Sequence, residues 1–142
     1  MQTQLAFRDK DLEAADFALP AAASANTTSA AIDLGAKNYA KNIRRGDQIA
    51  VQLDVPALTT TIVPDTRTVT ASIEASDAAD FGSGVVTLDS VTSTGAGGAG
   101  VAAVSLNVNI QFDCPRYLRG KVAFGASTTT GAAVSASFGL RF

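Results

Sequence analysis

Apolar and polar residues alternate over long stretches of this chain, most clearly in its last third. Val104-Ser-Leu-Asn-Val-Asn-Ile-Gln-Phe112 keeps the alternation unbroken, Arg116-Tyr-Leu-Arg-Gly-Lys-Val-Ala-Phe124 resumes it after Cys114-Pro115, and 132–142 repeats it. A period of two sends successive side chains to opposite faces of a strand, so each segment has one face for a core and one for water or a partner. In the middle segment Leu118, Val122 and Phe124 take the inner face, and Tyr117, Arg119 and Lys121 the outer.

The same reading places strands upstream. A short one at 30–34 stops at Gly35, and another at 48–54 aligns Ile49, Val51 and Leu53. A well-alternating strand at 67–75 turns Val69, Ala71 and Ile73 inward, and a further strand covers 85–91. Pro56 and Pro64 bracket a Thr-rich segment that reads as a loop or short edge strand. Residues 77–84 form a polar turn with Phe81 as its plug, and the glycine run 95–100 a flexible connection. The sum is seven or eight strands with regularly spaced turns and no amphipathic helix. It predicts an all-β, antiparallel β-sandwich rather than alternating strands and helices.

Residues 1–28 break the pattern. Phe7, Leu12 and Phe17 stand among mixed charges ahead of Pro20 and an Ala/Ser/Thr/Asn run. Their wide spacing predicts an extended N-terminal arm whose apolar residues need another surface, in this domain or a neighbour. The body is one domain, 29–142, long enough to bury a core without staples.

Composition narrows the function classes. Of 142 residues 46% are hydrophobic and 17% charged, the net charge is −2, and Arg44-Arg45 is the only adjacent basic pair. Nucleic-acid binding needs cations focused on one surface, so that partner is not expected. No apolar run approaches 18 residues, so no membrane partner is expected either. Charged residues from Arg8 to Asp16 stand where the apolar core of a signal peptide would lie. The absence of histidine excludes His-based triads and metal sites, and one cysteine, Cys114, excludes an internal disulfide.

Several motifs fail on context. The glycine run formally fits G-x-G-x-x-G, but a strand rather than a phosphate-binding helix follows it. Arg45-Gly46-Asp47 reads as a turn, and the Asn26-Thr-Thr28 sequon lacks an export signal. Asp77 with Asp80 reads as a turn-capping pair rather than a hydrolytic one. No cofactor, metal or enzymatic role is expected. The Tyr117/Arg119 face has the side-chain types enriched at protein interfaces.

Three stretches stand out: Phe7-Arg-Asp-Lys-Asp-Leu12 with the polar run after it, Ala31-Ile-Asp-Leu-Gly35, and Pro115-Arg-Tyr-Leu-Arg119 followed by a Thr/Gly turn and a Val/Ala/Phe-rich final strand. They resemble the capsid cement (decoration) proteins of tailed bacteriophages, particularly the family typified by a Bordetella phage cement protein. The middle, from about Lys37 to Ala103, agrees only in strand rhythm. The resemblance implies a jelly-roll-like sandwich on the outer surface of an assembled capsid, made in the bacterial host cytoplasm. Its implied partners are the major capsid protein and itself, as a homodimer or a homotrimer. Phe7, Leu12, Phe17, Tyr117 and Arg119 are the candidate contacts. The alternative is a receptor- or carbohydrate-binding sandwich of a virion or cell surface, although the chain has no Trp and only two Tyr to stack on sugars.

Overall fold

The computed structural model describes residues 15–35, 50–110, 113–126, 128 and 130–141. These form nine strands in two antiparallel sheets: β1 (Ala15–Ala18), β2 (Asn26–Thr28), β3 (Ile32–Asp33), β4 (Ala50–Val55), β5 (Thr68–Ser76), β6 (Val86–Thr94), β7 (Val104–Asn109), β8 (Tyr117–Phe124) and β9 (Ser135–Arg141). One sheet has the order β1-β9-β4-β7. The other has β2-β8-β5-β6, with β3 also paired to β8.

The inner faces form one core. Val51, Leu53 and Val55 of β4 and Ala136, Phe138 and Leu140 of β9 are buried in the first sheet. Val69, Ala71, Ile73 and Ala75 of β5 and Leu118, Val122 and Phe124 of β8 are buried in the second. These are the inward positions that the alternation assigns to β5 and β8. Each fully buried Leu, Ile, Val or Phe contributes about 1.5–3 kcal/mol, so the paired faces hold the sheets together without a disulfide.

The sheets approach closely at Gly120. It occupies an inward position of β8, where a Cβ would stand 2.9 Å from Leu53 Cδ1 and 3.0 Å from Phe138 Cδ2 of the opposite sheet. Opposite this glycine the edge strand is interrupted, and Ser29 bridges the gap between β2 and β3. Its N–H donates to the Gly120 carbonyl at 2.9 Å, and its Oγ accepts the Gly120 N–H at 2.9 Å. The side chain thereby replaces a ladder bond that the bent backbone cannot make.

The described part of the expected arm, 15–28, lies in the sandwich. β1 pairs with β9 in register Phe17↔Ala136, β2 pairs with β8 in register Thr27↔Val122, and Leu19 and Pro20 between them are buried. Thus the first strand lies on one sheet and the second on the other. Leu19 anchors the crossing: it is 1% exposed and its N–H donates to the Val134 carbonyl at 2.9 Å. Residues 1–14 of the expected arm, with Phe7 and Leu12, lie outside the described residues.

The Thr-rich segment forms a turn rather than a strand. Leu58 makes a single bridge to Val101, and the Ile62 and Val63 N–H groups both donate to the Thr59 carbonyl. Gly100 beside it has φ +74°, and a Cβ there would overlap the Leu58 carbonyl oxygen. That close approach is why the connection needs glycine at this position.

Candidate binding surface

The outer face of β8 and its neighbours brings charged and aromatic side chains together. Strand pairing sets Glu74 of β5 opposite Arg119 and Ser72 opposite Lys121. Arg119 Nε and Nη2 both donate to Glu74 Oε2, at 2.9 and 2.7 Å, and Lys121 Nζ donates to Oε1 at 3.2 Å. Glu74 is only 6% exposed. Burial pushes its carboxyl toward the neutral form, but the hydrogen bonds and charges of Arg119 and Lys121 outweigh burial and hold it below its ordinary value.

Phe81 covers this cluster. The Arg119 guanidinium carbon lies 4.1 Å from the centre of its ring, a cation–π contact on the inner side of the 77–84 turn. Phe81 has φ +54°, a left-handed conformation that is costly for a bulky residue. Local hydrogen bonds hold it there. Phe81 N–H donates to the Ala78 carbonyl, Ser76 Oγ donates to the Ser83 carbonyl, and Asp80 Oδ1 accepts the Gly82 N–H. Asp77 Oδ1 accepts the Arg116 N–H, tying the turn to the start of β8. Asp77 and Asp80 therefore both cap backbone, and Phe81 is the plug that the sequence suggests.

A second ion pair flanks the first. Arg116 Nε and Nη2 donate to Asp33 Oδ1 and Oδ2 at 2.7 and 2.9 Å, a two-pronged fit of guanidinium to carboxylate. The Arg116 hydrogen bond, together with the Gly35 N–H and the Arg116 charge, holds the Asp33 carboxyl below its ordinary value despite slight burial; the same bond raises Arg116. The Arg116 guanidinium carbon also lies 4.9 Å from the centre of the half-buried Tyr117 ring.

Of the candidate contacts, Tyr117 and Arg119 thus share this outer face, but Arg119 is engaged within the chain. Phe17 is elsewhere, on β1, half-buried against the protein's own core. Cys114 is half-buried, and burial, with the charges of Asp113 and Asp77, pushes its thiol up to about 11. It is a poor nucleophile near neutral pH.

The first sheet carries a feature that sequence reading does not find. Pairing aligns Asp16, Ser137, Asp54 and Ser105 across β1, β9, β4 and β7. They line an open groove of about 350 Å³ together with Val55, Pro56, Ala103, Val104 and Ser135. Asp54 Oδ1 accepts bonds from Ser105 Oγ at 2.6 Å and Gln52 Nε2 at 2.8 Å. Single Asp and Ser residues carry no signal individually; only the register assembles them. Among the described residues no group of three or more His, Cys, Asp or Glu is placed to hold a metal ion.

No protein-family model, curated protein or solved structure matches the chain.

Proposed function

We propose that this chain is a structural virion protein that binds the outer surface of an assembled tailed-phage capsid and reinforces the boundaries between capsomers of the major capsid protein. The observation that carries this reading is the meeting of two of the resembling stretches. Residues 31–35 and 115–119 are over 80 positions apart, yet Ile32 pairs with Leu118, Asp33 with Tyr117, and the Leu34 N–H donates to the Arg116 carbonyl at 2.8 Å. The Arg116–Asp33 fork then locks them. That the resembling residues form one structural unit supports a likeness of fold over a coincidence of composition.

The strand order supports the jelly-roll part of the reading. With β2 and β3 counted as one interrupted strand, the eight strands run 1-8-3-6 in one sheet and 2-7-4-5 in the other, the nested order of two Greek keys. Binding only assembled shell stabilises it by mass action, because disassembly must also release the bound protein. As a homodimer or homotrimer, one particle engages several capsomers and modest contacts combine as avidity.

The paired charges on the β8 face favour contact through shape, the Tyr117 ring and backbone over electrostatic steering. The place of action is the outer capsid surface, after synthesis in the bacterial host cytoplasm. The test is co-sedimentation of the purified protein with undecorated shells of the phage that encodes it: saturable pelleting supports the reading, and no pelleting at large excess overturns it. The Asp16–Ser137–Asp54–Ser105 row, set in a groove with Val55, Pro56 and Val104, favours the carbohydrate-binding reading, and specific, saturable glycan-array binding would support it.

A further inference from the structure

We propose that the outer edge of β6, unpaired among the described residues, is a self-association seam, at which a second copy of this chain adds its own β6 antiparallel and continues the sheet across a two-fold axis. The proposal shares with the capsid reading only the expectation of an oligomer. It is tested without shells, so a monomeric protein and a failure to decorate shells are separate results.

β6 is the longest edge strand of the described sandwich. It has nine residues, against six in β7, four in β1 and five divided between β2 and β3. Its backbone direction follows from three observations. Gly95 N–H donates inward to the Arg67 carbonyl at 2.8 Å, so two-residue alternation turns the N–H and C=O of Thr94, Thr92 and Ser90 away from β5. Thr70 Oγ1 and Thr92 Oγ1 approach to 2.9 Å, as expected for a pair that exchanges no backbone bonds. The Ser90 N–H bonds the neighbouring Asp89 Oδ1 at 2.8 Å instead of β5. An edge with its donors and acceptors turned outward is a template for another strand.

The usual protections are sparse. Residues 85–94 contain no Lys, Arg or Pro, and one charge, Asp89. Val85 and Val86, at 40% and 49%, are the exposed large hydrophobic residues of the described chain and lie where β6 begins. A register shift between Ile73 and Glu74 bends the ladder near Leu88, leaving 89–94 as a regular segment.

The residues select a second copy as the occupant. With the two-fold axis at Val91, the Ser90 carbonyl accepts the Thr92 N–H of the other copy, and the Ser90 N–H exchanges its bond to Asp89 Oδ1 for the Thr92 carbonyl of that copy. Val91 meets Val91, and Asp89 lies opposite the Ser93 hydroxyl instead of a like charge. Each contact off the axis occurs twice and Val91 meets its own copy once, as an isologous interface requires.

The test is sedimentation of the full-length protein alone, compared with Thr92→Pro and Thr92→Lys. Proline at 92 removes an N–H that β5 does not use, and Thr92→Lys charges both sides of the seam if proline disturbs the fold. The expected result is a dimer whose dissociation constant rises at least tenfold in a folded variant. In a Cys114→Ser background, Val91→Cys should also cross-link two copies under mild oxidation. A wild-type protein monomeric at 100-micromolar order, or an oligomer unchanged by the folded variants and lacking the Val91→Cys cross-link, overturns the proposal.

Discussion

The guanidinium of Arg116 grips the carboxylate of Asp33 through two parallel hydrogen bonds of 2.7 and 2.9 Å. This joins the start of β8 to an edge strand over 80 residues earlier, while the same guanidinium rests near the Tyr117 ring. Both partners are substantially exposed, so the fork orients the β3–β8 corner more than it stabilises the domain. Arg116→Ala and Asp33→Ala should each lower the melting temperature only slightly. The double variant should be less destabilised than the sum of the singles, because either change removes the same pair. Additive thermal-denaturation effects would show that the fork does not act as a unit.

Glu74 is the contrasting case, a nearly buried carboxylate holding two cations. Glu74→Gln keeps the shape and removes the charge, and a loss of about 1.5–3 kcal/mol is expected at pH 7, measured by urea denaturation. Glu74 and Asp33 have folded-state values below their ordinary 4.5 and 3.8. The unfolded chain therefore binds protons first as pH falls. The stability from these pairs is present above the ordinary values and is lost as pH drops through the folded-state values. Melting temperature should decline below about pH 4.5, the ordinary value for Glu74, and the decline should be shallower in Glu74→Gln.

Gly120 inverts the usual effect of glycine in a strand. Replacing it with alanine ordinarily helps an extended backbone, but here the added methyl meets Leu53 and Phe138. Gly120→Ala should cost about 1–3 kcal/mol in chemical denaturation, and Gly120→Val more. A neutral or stabilising Gly120→Ala would mean that the sheets can separate there without loss.

Much of the sandwich was legible because apolar residues alternate along β5 and β8, although the burial of Ser72, Glu74 and Ser76 on the other face of β5 was not. β1 and β2 were not legible. They are short edge strands, with Ala15-Asp-Phe-Ala18 too brief and Asn26-Thr-Thr28 too polar to give an apolar rhythm, and their places come from β8, β9 and the buried Leu19 between them. The outer face of β8 was readable as Tyr117, Arg119 and Lys121. Its neutralisation was not, because Glu74 is an ordinary outward residue until pairing brings it beside cations some 45 positions later. The Asp16–Ser137–Asp54–Ser105 row is likewise a product of register.

The described part of the expected arm is paired into both sheets, so deletion of residues 1–14 is the variant that tests Phe7 and Leu12. It retains β1, β2 and the Leu19 anchor. Such a chain should melt close to the full-length protein while binding undecorated shells at least tenfold more weakly, read by co-sedimentation. Equal shell binding would remove Phe7 and Leu12 from the contact.

The most direct measurement of the proposed capsid role is cryo-electron microscopy of the purified protein mixed with undecorated capsids of the proposed source phage. The account predicts added density at regular sites between capsomers on the outer surface, fitted by the β-sandwich with Tyr117 near the shell. Bare capsids at saturating protein would contradict it.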